Sequence, residues 1–123
     1  MLEDVSRRAP EEACGLVGGR GNRAAMVLTL TNALHSPVRF QLAPQEHLDA
    51  FLWLENEGLD LLAVYHSHPH GPATPSPTDL AEYAYPDAVA LIWARQAQEW
   101  GCRGFLIREG QAREIRLFLD ELV

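Results

Sequence analysis

The sequence of 123 residues is poor in cysteine, with Cys14 and Cys102 as its two thiols. No apolar run approaches the roughly 20 residues that span a membrane as a helix. The acidic start Met1-Leu2-Glu3-Asp4 also lacks the basic and apolar regions of a signal peptide. We therefore predict a cytoplasmic protein that does not interact with a membrane. In a reducing compartment the two thiols are expected to be free, with a disulfide between them as the alternative.

Clusters of basic residues are missing as well. The formal net charge is −7, and the ten basic residues are scattered, with no run longer than Arg7-Arg8. Proteins that bind nucleic acid need clustered Lys and Arg to contact the phosphates. The composition thus predicts no nucleic-acid partner, and the acidic surface favours a basic or neutral one.

The composition is that of an ordinary globular chain. Apolar residues make up 47% of the sequence and charged residues 22%, and we find no internal repeat, linker or low-complexity segment. A chain of this length suits one hydrophobic core. We predict a single domain over residues 1–123, and the sequence does not indicate the oligomeric state.

Hydrophobic periodicity and the positions of Gly and Pro predict a mixed order of helices and strands. The predicted helices cover residues 2–9, 44–57 and 77 to about 85. The predicted strands cover residues 13–18, 23–31, 38–42, 59–65, 88–94, 104–108 and 113–119. Turns are predicted at residues 19–22 and at Glu109-Gly110, and a loop rich in His, Pro and Gly is predicted over residues 66–77. This order predicts an α/β fold, in which helices pack on a mixed β-sheet.

The helix over residues 44–57 has the clearest pattern. Pro44 suits the first turn of a helix, and Gly58 stands just past the predicted end. The apolar positions fall near helical spacing and predict a buried face, formed by Leu48, Phe51, Leu52 and Leu54.

Two histidines follow the apolar run of residues 59–65. His66 and His68 are two positions apart, so in an extended chain their side chains point to the same side. They come at the carboxyl end of a predicted strand, which is the edge where α/β sheets bind ligands. Two imidazoles so placed can bind one cation, and zinc is the natural candidate. The alternative is a pair of polar residues in a loop over residues 66–77.

A third ligand for such a metal is Asp79, eleven positions after His68. Three protein ligands leave a fourth position for water, which is the arrangement of catalytic zinc. Helix capping also accounts for this segment, because Ser76 suits the N-cap, Pro77 the first helical position and Asp79 the positive end of the helix dipole. The two interpretations are compatible. His70 is interpreted as a solvated loop residue.

Hydrolysis also needs a group that accepts a proton from the attacking water. The candidates are Glu11 and Glu12, which precede the first predicted strand. The alternative is that both are solvated residues after Pro10.

Taken together, these residues resemble the motif of the JAMM (MPN-plus) metallopeptidases, and the resemblance covers roughly residues 2–119. The order of elements also fits the compact MPN/JAMM fold, which is cytidine-deaminase-like. The matching pattern is Glu12-x-Cys14-Gly15, then His66-Ser67-His68-Pro69, six residues, Ser76, two residues and Asp79.

The resemblance implies a role for each motif residue. His66, His68 and Asp79 would bind Zn²⁺. Glu12 would act as general base, taking a proton from the zinc-bound water and passing it to the leaving nitrogen or sulfur. Ser76 would donate a hydrogen bond to the oxyanion of the tetrahedral intermediate. Cys14 and Gly15, which complete the motif, would be packing residues beside the base.

Residues 32–44, with Arg39-Phe40 and the Pro44-Gln45-Glu46 that follows, look like the short bacterial branch of that family. Its members resemble enzymes that remove a cysteine adduct or a peptide extension from ubiquitin-like sulfur-carrier proteins. Only residues 80–86 precede the next predicted strand, so the chain lacks the long insertion of eukaryotic deubiquitinases. A groove for the extended tail is expected beside the site, with Phe40 and Trp93 as possible walls or else core residues.

The resemblance therefore implies a zinc metallopeptidase, or isopeptidase, that hydrolyses an amide bond at the C-terminal tail of a ubiquitin-like or sulfur-carrier protein. The alternative is a non-catalytic MPN-type scaffold that binds a partner protein. A nucleobase deaminase is disfavoured, because the chain has no Cys-x-x-Cys and carries His68 where that class has Glu.

Overall fold

The computed structural model describes residues 1–118, which form three helices and one six-stranded sheet. The helices are α1 (Leu2–Arg8), α2 (Pro44–Asn56) and α3 (Pro77–Glu82). The strands are β1 (Cys14–Arg20), β2 (Arg23–Leu30), β3 (Asp60–His68), β4 (Val89–Gln96), β5 (Glu99–Arg108) and β6 (Gln111–Ile115).

The sheet is mixed, in the order β2-β1-β3-β4-β5-β6. Strands β3 and β4 run parallel, and the other neighbours are antiparallel. The parallel pair needs a crossover, and α3 lies in that connection. The predicted α/β class with a mixed sheet is thus confirmed.

The two faces of the sheet carry separate hydrophobic clusters. On one face α2 packs through Ala50 and Leu54 onto residues that include Leu16 and Val64. On the other face Val5 of α1 packs onto a cluster that includes Tyr65. Alternating side chains of β1 and β3 therefore supply both cores, as expected for central strands.

Gly15 leaves room for the ring of Tyr65 to lie directly against the backbone of β1 at the centre of the sheet. A Cβ atom at this position would stand 2.4 Å from a ring carbon of Tyr65 and 2.5 Å from the carbonyl oxygen of Leu28. Its neighbour Cys14 is fully buried. Both residues pack as predicted.

Strand β3 continues beyond the predicted end at residue 65 and includes the two histidines. His66 pairs with Cys14 of β1 and with Ile92 of β4, and His68 pairs with Ala94. The predicted loop over residues 66–77 is therefore wrong at its start. Pairing with neighbouring strands on both sides, which a single sequence does not reveal, outweighs the polar composition of this stretch.

The predicted strand over residues 38–42 is also wrong. Apart from one isolated bridge between Asn32 and Leu42, residues 33–41 form an irregular loop, called the 33–41 loop below. The side chain of Asn32 occupies the backbone groups of this loop that a neighbouring strand would otherwise bind.

Helix α2 begins and ends close to the predicted positions, and Gly58 has the expected positive φ of 67°. The predicted buried face is only partly correct. Leu54 is buried and Phe51 half-buried, but Leu48 and Leu52 are 53% and 55% exposed. The helix rests on the sheet along the narrow line of Ala50 and Leu54, so its neighbouring apolar positions face outward.

The remaining boundaries differ by a few residues. Helix α3 ends at Glu82 rather than near Tyr85, and β5 begins at Glu99, five residues before the predicted start at residue 104. The turn at Glu109-Gly110 is confirmed, with both residues at positive φ. Strand β6 ends at Ile115, and Leu119 of the predicted last strand lies outside the described residues. Within residues 1–118, no helix has both the length and the apolar character needed to cross a membrane.

Candidate active site

The two predicted histidine ligands and Asp79 meet in the structure. The Nε2 atoms of His66 and His68 lie 3.1 Å apart, and Oδ2 of Asp79 lies 3.1 Å from each of them. All three residues are at least nine-tenths buried. Strand β3 supplies both rings on one side, and the loop after it returns to place α3 beside them.

The start of α3 fixes the position of Asp79. Oγ of Ser76 accepts a hydrogen bond from the backbone N–H of Asp79 at 3.0 Å, and the backbone N–H of Ser76 donates to Oδ2 of Asp79 at 2.9 Å. This reciprocal pair is a capping box, so the predicted capping role of both residues is confirmed. Because a hydroxyl has one donor and two acceptor sites, the O–H of Ser76 is still free to donate.

The two imidazoles are oriented by different contacts. Nδ1 of His68 lies 2.7 Å from the carbonyl oxygen of Pro72, so this nitrogen donates, and in the neutral ring the lone pair is on Nε2. Nδ1 of His66 is buried and has no hydrogen-bond partner within residues 1–118. The His66 ring stacks instead on Phe40, with the centroids 4.5 Å apart and the planes 20° from parallel.

Glu12 lies next to the two histidines. One carboxylate oxygen of Glu12 and one ring nitrogen of each histidine all lie within 4.8 Å of one another. Oε1 of Glu12 is buried without a hydrogen-bond partner in the described part of the chain. Glu11 is half-buried, and its carboxylate lies 3.3 Å from Nδ1 of the exposed His35. The geometry therefore separates the two glutamates and places Glu12 at the site.

Burial and neighbouring charges move the pKa values of this cluster apart. Burial raises the pKa of Glu12 to about 8, with His68 opposing and Asp79 reinforcing the rise. Burial also favours the neutral form of Asp79, but hydrogen bonds from His66 and His68 overcome it and hold the pKa of Asp79 well below its usual range. Asp79 thus carries a negative charge that Glu12, in the metal-free protein, does not.

The histidines also differ in protonation. Burial lowers the pKa of His66, so its ring is neutral near pH 7. Burial acts in the same direction on His68, but its hydrogen bonds to Asp79 and Pro72 outweigh burial and raise its pKa. A neutral ring beside an ionised carboxylate presents the donor electrons that a cation needs.

The donor atoms fit a zinc ion. Tetrahedral bonds of 2.0–2.1 Å separate the donor atoms by about 3.3 Å, close to the 3.1 Å found between the three atoms here. One oxygen of Glu12 also lies within 4.8 Å of a ring nitrogen of each histidine, so two carboxylates flank the pair, and the 3.1 Å contacts of Asp79 suit a third ligand.

Three contributors to the site were not predicted in these roles. Oγ of Ser67 accepts a hydrogen bond from the N–H of Ala13 at 2.7 Å, which places the chain after Glu12 beside β3. Asn32 donates a hydrogen bond to the backbone carbonyl of Glu12, and Phe40 stacks on the ring of His66. Ser67 stands between the two histidines and could have been singled out, whereas the partners of Asn32 and Phe40 are distant in sequence.

A cavity of about 360 Å³ adjoins Asp79. It lies between the 33–41 loop and the chain from α3 to Tyr85, and Phe40 forms part of its wall. Phe40 is therefore a wall of the cavity beside the site, as the sequence suggested. Trp93 is not among the lining residues and packs against the cluster around Val5, which was the alternative.

Comparison with known protein families finds one that matches most of this chain. A model of the prokaryotic homologs of the JAB domain matches residues 1–106. The chain belongs to this family. The predicted resemblance to JAMM proteins is thereby confirmed.

Relatives of this prokaryotic JAB chain carry the names of peptidases. A "Probable TtuB-protein conjugate cleaving protease" of Thermus thermophilus is 43% identical over 106 residues, or 85% of this chain and 68% of that protein. A "CysO-cysteine peptidase" of Mycobacterium tuberculosis is 31% identical over 117 residues, or 93% and 80%. A "Desampylase" of Pyrococcus furiosus is 41% identical over 69 residues, or 56% and 49%. These names agree with the predicted enzyme class.

Solved structures share the fold. A protein from Desulfitobacterium hafniense, solved in solution, has a TM-score of 0.88 and 34% identity, covering 100% of this chain and 88% of that chain. A JAB1/MPN domain protein from Archaeoglobus fulgidus has a TM-score of 0.58 at 19% identity, covering 94% and 86%, and supports the fold alone.

Proposed function

We propose that this prokaryotic JAB protein is a zinc-dependent peptidase that hydrolyses an amide bond at the C-terminal tail of a ubiquitin-like or sulfur-carrier protein. The observation that carries the proposal is the unpartnered Oε1 of Glu12, buried beside three donor atoms that fit a zinc ion. A scaffold that only binds partners has no use for a buried carboxylate in that position. The names of the relatives supply the substrate class.

In this proposal His66, His68 and Asp79 hold the zinc ion. When bound, zinc supplies a water of lowered pKa and polarises the scissile carbonyl. Glu12 takes the proton from the attacking water and delivers it to the leaving nitrogen, so the enzyme returns to its starting state. The pKa of Glu12 lies lower beside a cation than the value of about 8 in the metal-free chain, which makes its carboxylate available as a base.

Ser76 would stabilise the oxyanion that develops on the substrate carbonyl. Its Oγ accepts from the backbone of Asp79, so the hydroxyl is held in place while its proton stays available. A single donor of this kind contributes roughly 10²–10³-fold to the rate in well-studied hydrolases. Capping of α3 and oxyanion binding are therefore compatible roles for one side chain.

The cavity beside Asp79 is the proposed site of the substrate tail. Phe40, Leu42 and Tyr83 give it an apolar lining, and an ion pair between Arg39 and Glu82 lies among its lining residues. Its volume of about 360 Å³ suits a few small residues of an extended chain rather than a folded domain. The names of the relatives give two candidate leaving groups, a conjugated protein and a cysteine.

The test uses zinc-loaded protein, candidate ubiquitin-like carriers bearing a C-terminal adduct, and mass analysis of the products. We expect Glu12→Gln to retain zinc and to lose about 10²–10⁴-fold in turnover, the usual contribution of a general base. Glu11→Gln makes the same chemical change one residue away at the surface and should retain wild-type turnover.

Undiminished turnover of Glu12→Gln with zinc still bound would show that Glu12 is not the base. Less than half an equivalent of zinc in gently purified wild-type protein, together with no cleavage of any carrier, would favour the scaffold alternative.

We also propose that residues 1–123 act as one domain and that the protein works in the cytoplasm. A single sheet that spans the described residues supports the first proposal. The two thiols, unpaired within residues 1–118, support the second.

A further inference from the structure

We propose that Asn32 is a positioning residue, which holds the general base Glu12 and the 33–41 loop in the geometry that hydrolysis requires. The inference rests on the proposed function. It follows from the contacts of the Asn32 side chain, which is 1% exposed and lies between the two segments.

The amide nitrogen of Asn32 faces three carbonyl oxygens. Nδ2 donates to the carbonyl of Glu12 at 3.1 Å and to that of Arg39 at 2.9 Å, with a longer contact of 3.4 Å to Ser36. Since carbonyl oxygens only accept, this end of the side chain must be the donor. Asn32 thus joins Glu12 to two points of the 33–41 loop.

The amide oxygen of Asn32 binds the same loop from its other side. Oδ1 accepts from the N–H of Leu34 at 3.0 Å and from that of Gln41 at 3.1 Å. Both N–H donors and both acceptor sites of the amide are therefore used, and the side chain has a single orientation.

Glu12 depends on this network more than an ordinary buried residue does. Its Oε1 has no hydrogen-bond partner within residues 1–118, so the carboxylate is placed by its main chain. Both main-chain polar groups of Glu12 are hydrogen-bonded. The N–H donates to the carbonyl of Ser36 at 2.8 Å, and the C=O accepts from the side chain of Asn32 at 3.1 Å. Two of the main-chain hydrogen bonds that place the base therefore come from Asn32 and the 33–41 loop, while Ser67 holds the next residue, Ala13.

The same loop supports the metal ligands. Phe40 stacks on the ring of His66, whose Nδ1 has no partner in the described residues to orient it. Arg39 pairs with Glu82 of α3, the helix that also carries Asp79. The loop therefore contacts all three segments of the site, and Asn32 is the buried residue that binds it from within.

A purely structural role would give a different result from a positioning role. Asn32→Asp keeps the shape and the acceptor oxygen but replaces the donor with an oxygen that faces three carbonyls. If Asn32 only stabilises the fold, the variant unfolds at lower temperature, yet its folded fraction turns over normally. If Asn32 positions Glu12, kcat falls even in fully folded protein.

The experiment measures kcat and KM of zinc-loaded protein on a carrier adduct, at a temperature where circular dichroism shows every variant folded. We expect Asn32→Asp to lower kcat about 10²-fold or more, with bound zinc still near one equivalent because the three ligands lie on β3 and α3. Asn22→Asp makes the same change in the exposed β1–β2 turn and should match wild type.

The double variant Glu12→Gln/Asn32→Asp separates the mechanisms further. If Asn32 acts through Glu12, its substitution should lower kcat by less than about 3-fold when Glu12 is already Gln, because groups that act as a unit are strongly non-additive. Equal losses in both backgrounds would overturn the proposal. So would a kcat of Asn32→Asp within 3-fold of wild type.

Amide hydrogen exchange provides a readout that does not depend on turnover. We expect the amides of Glu12 and Ala33, which donate to Ser36 and Gln41, to exchange at least 10-fold faster in Asn32→Asp, while those of β4 and β5 stay unchanged. Unchanged exchange at Glu12 would overturn the proposal even if activity falls.

Wild-type protein without turnover on any carrier would instead refute the proposed function. Asn32→Ser replaces Asn32→Asp should the latter not fold.

Discussion

Two carboxylates of the same site are held in opposite states by their surroundings. Burial disfavours the charged form of Glu12 and raises its pKa to about 8, and one of its oxygens has no hydrogen-bond partner within residues 1–118. The pKa of Asp79 is lowered, against its burial, by hydrogen bonds from two histidines and from the backbone of Ser76. Environments that separate the pKa values of neighbouring acids are the usual means by which one site obtains a permanent ligand and a movable proton. Asp79 suits the first task and Glu12 the second.

Gly15 gives a residue-scale prediction about stability. A methyl group in Gly15→Ala would lie 2.4 Å from the Tyr65 ring and 2.5 Å from a backbone oxygen of Leu28, neither of which can easily move. We expect the free energy of unfolding to fall by about 2–3 kcal/mol, as for overpacked cores, in urea titrations. Gly101→Ala is the matched control in strand β5, because its added methyl meets no atom within 4 Å. Equal stability of the two variants would contradict the prediction.

At the scale of elements, the carboxylate of Glu46 joins the end of β2 to the first turn of α2. Its oxygens accept from the backbone N–H of Thr31 at 2.6 Å and from the Thr31 hydroxyl at 2.8 Å. The backbone hydrogen bond, followed by that from the hydroxyl, holds the pKa of Glu46 below its usual value. A group whose pKa is lower in the folded protein stabilises the fold at pH values above its unfolded pKa.

Glu46→Gln should therefore be less stable than wild type at pH 7, by about 1 kcal/mol or less since the site is exposed. The contribution of Glu46 is lost as the pH falls from about 4.5 through the lower pKa of the folded state. Below that value the melting temperatures of the two proteins should converge. Melting curves between pH 3 and pH 8 check this, with the exposed Glu55→Gln as control. A difference that persists unchanged at the lowest pH would rule out the carboxylate as its source.

Elements were predictable where the chain's own pattern determines them. Helix α2 begins at Pro44 and stops before Gly58, and β1 and β2 are joined by a Gly-rich turn, so local signals suffice there. The predicted strand over residues 38–42 failed because the bonds of that stretch go to Asn32, which the pattern of residues 38–42 does not reveal. Strand β5 begins early for a similar reason: Glu99 and Trp100 extend because they pair with β4.

The convergence of His66, His68 and Asp79 was predictable from the sequence, but the contacts that support them were not. The two histidines stand at strand spacing, and Asp79 follows them in the first turn of a capped helix. All three donors therefore lie within one short segment, and its pattern predicts that they meet. The link of Phe40 to His66 and of Asn32 to Glu12 joins segments that are 26 and 20 residues apart. Such contacts depend on the tertiary fold, and one sequence carries no local sign of them.

At the scale of the whole molecule, the site brings together distant parts of the chain at the end of the sheet where β1 begins and β3 finishes. Glu12 precedes β1, the histidines end β3, and Asp79 opens the helix that leads to β4. A zinc ion bound by His66, His68 and Asp79 would therefore bind the folded chain far better than the unfolded one. Metal binding should then be measurable as stability, independently of any substrate.

Zinc should raise the melting temperature of the protein. A ligand at 100 times its dissociation constant adds about 2.7 kcal/mol to the stability of the state it binds. For a chain of this size that corresponds to a rise of roughly 10 °C. We expect this rise in calorimetry or thermal fluorescence when metal-free protein receives Zn²⁺, and its reversal by a chelator. Mg²⁺ at the same concentration should have no effect, since it prefers oxygen ligands.

Two variants relate the stabilisation to the predicted ligands. His68→Ala removes a ligand and should abolish the zinc-dependent rise. His70→Ala removes an exposed histidine two positions later and should leave the rise intact. If His68→Ala melts at the same zinc-raised temperature as wild type, zinc binds elsewhere in the chain and the ligand set of His66, His68 and Asp79 is wrong.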